Sequence, residues 1–182
     1  MKVLVLLADG FEEIEAVTII DVLRRAQITV HTAYTGTNPV TGAHGITVSS
    51  ERNIDEISFS EYGCIILPGG MPGSENLKQD DRVISLVKMI HENCGYVAAI
   101  CAAPIVLGRA GLLRGKKVTC YPGFEGELAG AEVIDEPAVQ DGPIITGKGP
   151  GCAIPFALKL VEILSGPETS QGLKENMQVY WM

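Results

Sequence analysis

Short apolar runs alternate along this chain with stretches of helical period. Residues 3–7 form an unbroken apolar run, and 64–67, 96–100 and 144–146 repeat the pattern. Runs this short, apolar at nearly every position, predict strands buried on both faces. Residues 28–34 add a β-branched, alternating run. Residues 13–25 instead carry an apolar stripe at 14, 17, 20 and 23, the spacing of a helix. Further helices are predicted over 80–92, with aspartate near its start where the dipole favours an acid, and over 104–109. Another runs from about 150 to 164, where Ser-Gly-Pro stops it, and a short one covers 167–176. Residues 39–48 read as a small hairpin with glycine at its turn.

Strands that alternate with helices predict an α/β fold, a flavodoxin-like three-layer sandwich with a mainly parallel central sheet. No linker, repeat or low-complexity stretch divides residues 1–182, so one domain is expected. In the common strand order 2-1-3-4-5 the first, third and fourth strands are neighbours, and ligands bind at their carboxyl ends. Those ends read A-D-G-F-E-E-I-E, L-P-G-G-M-P-G and I-C-A-A-P. An acidic loop, a glycine pair and a cysteine therefore meet in one crevice.

Cys101 ends an apolar strand, and Ala102 and Ala103 permit a tight strand-to-helix turn of the nucleophile-elbow kind. Pro104 suits the first turn of a helix. A helix N-terminus stabilises a thiolate, so a depressed pKa is expected for Cys101. A free cysteine is ordinarily a small buried apolar residue; that reading is kept for Cys64, Cys94, Cys120 and Cys152, and position sets Cys101 apart. Gly69 and Gly70 would let backbone approach a ligand, their N–H groups facing a developing oxyanion with that of Ala102. Glu12 and Glu13 read as solvated acids of the first helical turn. Glu15 is either another solvated charge or an inward carboxyl. Beside a thiolate such a carboxyl would be protonated, because burial and like charge both raise its pKa.

Composition narrows the function. The net charge is −8 and the basic residues are scattered, which argues against specific nucleic-acid binding. The N-terminal apolar run is too short for a secretory signal, and no run reaches the length of a membrane span. Five cysteines without a C-x-x-C fit reduced thiols better than a disulfide framework, and the expected compartment is the cytoplasm. Cysteines and histidines do not cluster at ligand spacing, so no metal is expected. Gly147–Gly151 lacks the phosphate-loop pattern, and no cofactor is expected. His31 and His91 read as structural or exposed, whereas His44, in the hairpin, could reach a site. An amidotransferase elbow expects glycine where Ala103 stands and a histidine after the cysteine, and a protease expects a histidine partner; neither pattern is present.

A-D-G-F-E-E-I-E, L-P-G-G, A-A-I-C-A-A-P and G-K-G-P-G, in this order, resemble the DJ-1/ThiJ/PfpI superfamily, in its DJ-1/YajL-like branch, over about residues 2–165. The resemblance implies a flavodoxin-like homodimer. It implies that Cys101 is the oxidation-prone reactive cysteine, Glu15 the carboxyl that hydrogen-bonds it, and Gly69, Gly70 and Ala102 the surrounding backbone donors. Arg25 and His44 fall where some members place arginines near the pocket. Tyr121 and Ser49 stand where relatives have a histidine and a second cysteine. The implied activities are a glutathione-independent glyoxalase or deglycase acting on small reactive carbonyls or glycated adducts, or a redox sensor or chaperone for oxidative stress.

Overall fold

The computed structural model describes residues 1–180. In chain order its elements are β1 (Lys2–Leu7), α1 (Glu13–Arg25), β2 (Thr29–Tyr34), β3 (Val40–Thr41), β4 (Thr47–Val48), β5 (Arg52–Asn53) and β6 (Cys64–Leu67). There follow α2 (Gly73–Gln79), α3 (Asp81–Glu92), β7 (Tyr96–Ile100), α4 (Pro104–Arg109), β8 (Lys117–Val118) and β9 (Glu132–Val133). The chain closes with β10 (Ala138–Asp141), β11 (Ile144–Gly147), α5 (Ala153–Ser165) and α6 (Pro167–Asn176). Seven strands form the central sheet in the order β10-β11-β7-β6-β1-β2-β5. Every neighbouring pair is parallel except the edge pair β10–β11. The five strands expected from apolar runs occupy its centre in the expected order, and the fold is α/β with a mainly parallel sheet flanked by helices.

Period-2 side-chain alternation splits β1 between the two faces. Leu4 and Leu6 pack with Leu77, Val83, Val87 and Ile105, under α2, α3 and α4. Val3, Val5 and Leu7 pack with Ile19, Leu23, Phe156 and Leu160, under α1 and α5. Both faces are buried, which is why each central strand reads as a continuous apolar run.

The structure differs from the expected pattern in three places, and it adds an edge strand, β10, that no apolar run announced. On α1 the buried face is Glu15, Ala16, Ile19, Val22 and Leu23, whereas Ile14 and Val17 of the apolar stripe are 58% and 49% exposed. The helix thus has a second apolar face that the fold leaves uncovered. Helix α2 was not anticipated: its seven residues bury a single large apolar side chain, Leu77, which is too little for a periodic signal. The short strands β5, β8 and β9 have only two residues each and carry no period at all. Among the described residues no helix is long and apolar enough to cross a membrane.

Candidate active site

The carboxyl ends of β1, β6 and β7 converge as the strand order requires. Cys101 follows directly on β7 and adopts φ 64°, the left-handed region that costs an ordinary residue about 1–3 kcal/mol. Local hydrogen bonds over-determine it. The Cys101 N–H donates to the Gly147 carbonyl at the end of β11 (2.9 Å), and the Cys101 carbonyl accepts from Tyr121 N–H (2.9 Å). The Ala103 N–H closes the turn onto the Ile100 carbonyl at 3.0 Å. This elbow tips the thiol out of the sheet's end into a cleft of about 220 Å³, walled by Glu12, Met71, Tyr121, Phe124 and Pro150. Cys101 keeps 8% of its surface exposed.

Glu15 is completely buried on the first turns of α1. Its Oε2 accepts the Gly69 N–H at 2.7 Å, while Oε1 has no hydrogen-bond partner among the described residues. Burial pushes the carboxyl up to about 7; the Gly69 amide and the Cys101 thiol pull it down, and the Glu12 charge adds to the rise. A Cβ on Gly69 would lie 2.5 Å from the Cys101 Cβ and 2.7 Å from Glu15 Oε2, so only glycine fits between thiol and carboxyl. Gly70, at φ +92°, presses against the Glu12 backbone, where a Cβ would come within 2.3 Å of the amide nitrogen.

Two expectations are corrected. The Gly69 amide is committed to Glu15, so it does not face the crevice; the amides that act on the Cys101 sulfur are those of Gly70 and Ala102. Nor is the thiol lowered. Burial, then the Glu15 charge and its hydrogen bond, push Cys101 up to about 12, against the smaller pull of the Gly70 and Ala102 amides. Helix α4 is only six residues long and begins three residues beyond Cys101, so its dipole contributes little. The upward push from Glu15 belongs to its ionised state. A proton on Glu15 removes the like charge and turns the carboxyl into a donor towards the sulfur, so thiol and carboxyl titrate as one unit.

The remaining candidates separate. Tyr121 lines the cleft and is 46% exposed. Arg25 is paired with Asp21 at the far end of α1, about 15 Å along the helix axis from Glu15, and is not part of the cleft. His44 lies on the exposed hairpin beside the cleft. Its backbone N–H donates to Glu13 Oε1 at 2.7 Å, its Nδ1 lies 2.8 Å from Glu13 Oε2, and Glu12 Oε2 is 3.8 Å away. The Glu13 hydrogen bond and the two carboxylate charges raise the His44 pKa. Glu13, expected to be solvated, is buried. Burial alone would push it up. Hydrogen bonds from the His44 ring and from the amides of Glu13, His44 and Ile46 outweigh this and bring it to about 2. Glu12, Glu13 and His44 have the mutual spacing of metal ligands, but both Glu13 oxygens already accept protein donors.

Sequence reasoning missed the cleft walls Phe124, Pro150 and Met71 and the anchoring carbonyl of Gly147. The Gly-Lys-Gly-Pro-Gly stretch was a visible signal for two of these, since Gly147 fixes the elbow and Pro150 lines the cleft. The other cysteines stand apart from this cleft. Burial pushes Cys64 up to about 12, and burial with the Glu125 charge pushes Cys120 to about 11.

Residues 1–163 match the family model described as DJ-1/PfpI family. Protein dj-1beta of Drosophila melanogaster is 36% identical over 179 residues, covering 97% of this chain and 96% of its own. The crystal structure of Drosophila melanogaster DJ-1beta superposes with a TM-score of 0.94 at 35% identity, covering 99% of this chain and 98% of that one. Two relatives carry names of activities. Deglycase TK1284 of Thermococcus kodakarensis is 32% identical over 166 residues, 90% of this chain and 99% of its own. Glutathione-independent glyoxalase DJR-1.2 of Caenorhabditis elegans is 35% identical over 164 residues, 89% of this chain and 87% of its own. Fold, elbow and sequence agree, and the chain belongs to the DJ-1/PfpI family.

Proposed function

We propose that the protein is a cysteine-dependent glyoxalase or deglycase, acting on methylglyoxal, glyoxal or their early adducts on proteins or nucleotides. The observation that carries this is one strained thiol at the floor of a cleft beside one fully buried carboxyl. Relatives named deglycase and glutathione-independent glyoxalase support it. The Cys101 sulfur attacks the aldehyde carbon, and its proton passes to Glu15. The new oxyanion lies near the Gly70 and Ala102 amides and takes that proton to give a hemithioacetal. The Glu15 carboxylate then removes the hydrogen from the former aldehyde carbon and returns it to the neighbouring carbon, while the hemithioacetal hydroxyl proton passes to the neighbouring carbonyl oxygen, which becomes the product hydroxyl. The hemithioacetal becomes a thioester with no external oxidant. Water cleaves the thioester, releasing lactate from methylglyoxal or glycolate from glyoxal and restoring the thiol. A carboxyl with a pKa of about 7 suits both directions of proton transfer at neutral pH.

Lactate formed from methylglyoxal by the purified protein, without glutathione, tests the reading. Wild type should turn over, and Cys101→Ser should lose at least 100-fold, in line with removal of a covalent nucleophile. Equal rates in the two proteins would sink it. The same cradle would hold a sulfinate against the Gly70 and Ala102 amides, which favours a redox sensor or stress chaperone as the second reading; absence of turnover together with selective peroxide oxidation of Cys101 would decide for it.

The protein also acts, on this reading, as a homodimer in the cytoplasm. The uncovered apolar face of α1 supports the dimer. Ile14 and Val17 sit three residues apart on it, and Ile46, whose amide is bonded to Glu13, extends it across the hairpin.

A further inference from the structure

The strip of chain that walls one side of the cleft lies outside the central sheet. Residues 117–121 lead from β8 to Tyr121, and every second N–H along them reaches a group on that sheet or its elbow. The Lys117 N–H donates to Asp141 Oδ2 at 2.9 Å, the Thr119 N–H to Thr146 Oγ1 at 2.8 Å and the Tyr121 N–H to the Cys101 carbonyl at 2.9 Å. The first acceptor is a partly exposed carboxylate on β10, already paired with Lys116. The second is of another kind. Thr146 and Thr119 are 0% and 1% exposed within the single chain, so a second copy docked outside leaves their contact as it is. Thr146 carries the one hydroxyl of β11, an otherwise apolar strand fixed between β7 and β10. Without that hydroxyl the Thr119 N–H would be buried with no acceptor. The next residue, Gly147, supplies the carbonyl that holds the Cys101 N–H. Two successive residues of one strand therefore fix both flanks of Cys101, Gly147 directly and Thr146 through the strip.

We infer that Thr146 is a positioning residue for the nucleophile: its hydroxyl registers residues 119–121 against β11, so that the Tyr121 N–H keeps the Cys101 carbonyl, and with it the thiol, turned towards Glu15 and the cleft. This deepens the reading of Cys101 as the attacking group and rests on it. Cys101 holds φ 64°, a conformation that persists only where surrounding bonds over-determine it. Releasing the strip frees the Cys101 carbonyl to rotate, and the relaxed elbow swings the sulfur away from Glu15. The opposite wall, with Glu12, Met71 and Pro150, is carried by other segments and stays in place. Loss of the hydroxyl therefore acts on the chemical step more than on substrate binding.

Thr146→Val keeps the branched shape and removes the hydroxyl, whereas Thr146→Ser keeps the hydroxyl. Lactate formation from methylglyoxal should show kcat about tenfold lower in Thr146→Val with KM changed less than about threefold, and Thr146→Ser should stay within about threefold of wild type on both. A second measurement needs no turnover. The intact proteins are treated with iodoacetamide, and the Cys101 and Cys64 peptides are followed by mass spectrometry. Cys64, fully buried in β6, reports any general opening of the core. Thr146→Val should label at Cys101 about threefold faster or more, because the thiol leaves its dry turn, with Cys64 unchanged. Should the valine variant fail to fold, Thr146→Ala, which leaves room for a water at the Thr119 N–H, carries both measurements. Wild-type labelling of Cys101 in the variant lacking the hydroxyl, an equal rise at Cys64, or a serine variant as impaired as the valine one overturns the proposal. Lactate from wild type with kcat and labelling unmoved in Thr146→Val defeats the Thr146 inference alone. Selective loosening of Cys101 in a protein that makes no lactate defeats the glyoxalase reading alone.

Discussion

Cys101 and Glu15 lie 86 positions apart in the sequence and share the titration of one buried unit. Burial raises both, Glu15 to about 7 and Cys101 to about 12. The first proton therefore leaves the pair near neutrality, and the second only in strong alkali. The first negative charge sits on Glu15, and its carboxylate then holds the Cys101 thiol high. Alkylation of Cys101 by iodoacetamide should accordingly rise with pH only in the alkaline range. Glu15→Gln removes the like charge but leaves the burial, so the rise should move to lower pH by about one unit. A profile identical to wild type in Glu15→Gln would separate the thiol from the carboxyl. The elbow at Cys101 was legible from Tyr96–Pro104, because a cysteine at a strand end followed by two alanines and a proline is unusual in a local window. The basicity of its thiol was not, since desolvation depends on everything packed around it.

At the scale of elements, the segment from β1 to α1 does two jobs. Glu12 and Glu13 read alike in sequence, with Glu15 open between surface and interior, yet Glu12 borders the cleft, Glu13 clamps the β3–β4 hairpin and Glu15 faces the thiol. Their different fates follow from the turn that α1 makes over the sheet and from a hairpin 31 residues away. The folded-state value for Glu13, about 2, lies below the ordinary 4.5. Its ionised form therefore adds stability above pH 4.5, and that contribution is lost as pH falls from about 4.5 to about 2. The urea midpoint of wild type should drop across this window, and Glu13→Gln should flatten the drop while costing about 1–3 kcal/mol at neutral pH through lost charged hydrogen bonds. A parallel pH profile in the two proteins would show that Glu13 is not the group responsible.

For the whole molecule, the outward apolar face of α1 is the feature that the folded chain leaves unfinished. Helical period was correctly read over residues 13–25, but period alone cannot say which of two apolar faces meets the sheet. The sheet takes Ala16, Ile19, Val22 and Leu23, and the stripe containing Ile14 and Val17 remains at the surface. A homodimer built on this face predicts that wild type sediments with twice the chain mass. Val17→Glu should then yield monomers with unchanged secondary structure, because that residue contributes little to the core. A wild type that is already monomeric at micromolar concentration removes the dimer from the reading.

Local sequence by itself determined the central strands, the helix limits at 13–25, 104–109 and 167–176, and the cysteine that stands at the strand-to-helix elbow. Each of these is written in a run of neighbouring residues, through apolar period, punctuation by proline and glycine, or an odd residue at a strand end. Tertiary structure alone decided the rest: that the Gly69 amide holds Glu15 and does not face a substrate, that Arg25 lies far from the cleft, that Gly147 and Tyr121 lock the elbow, and that Glu12 borders the cleft. Those facts depend on which segments the parallel sheet brings side by side, and on how much water their meeting excludes, and neither quantity is carried by any single stretch of chain.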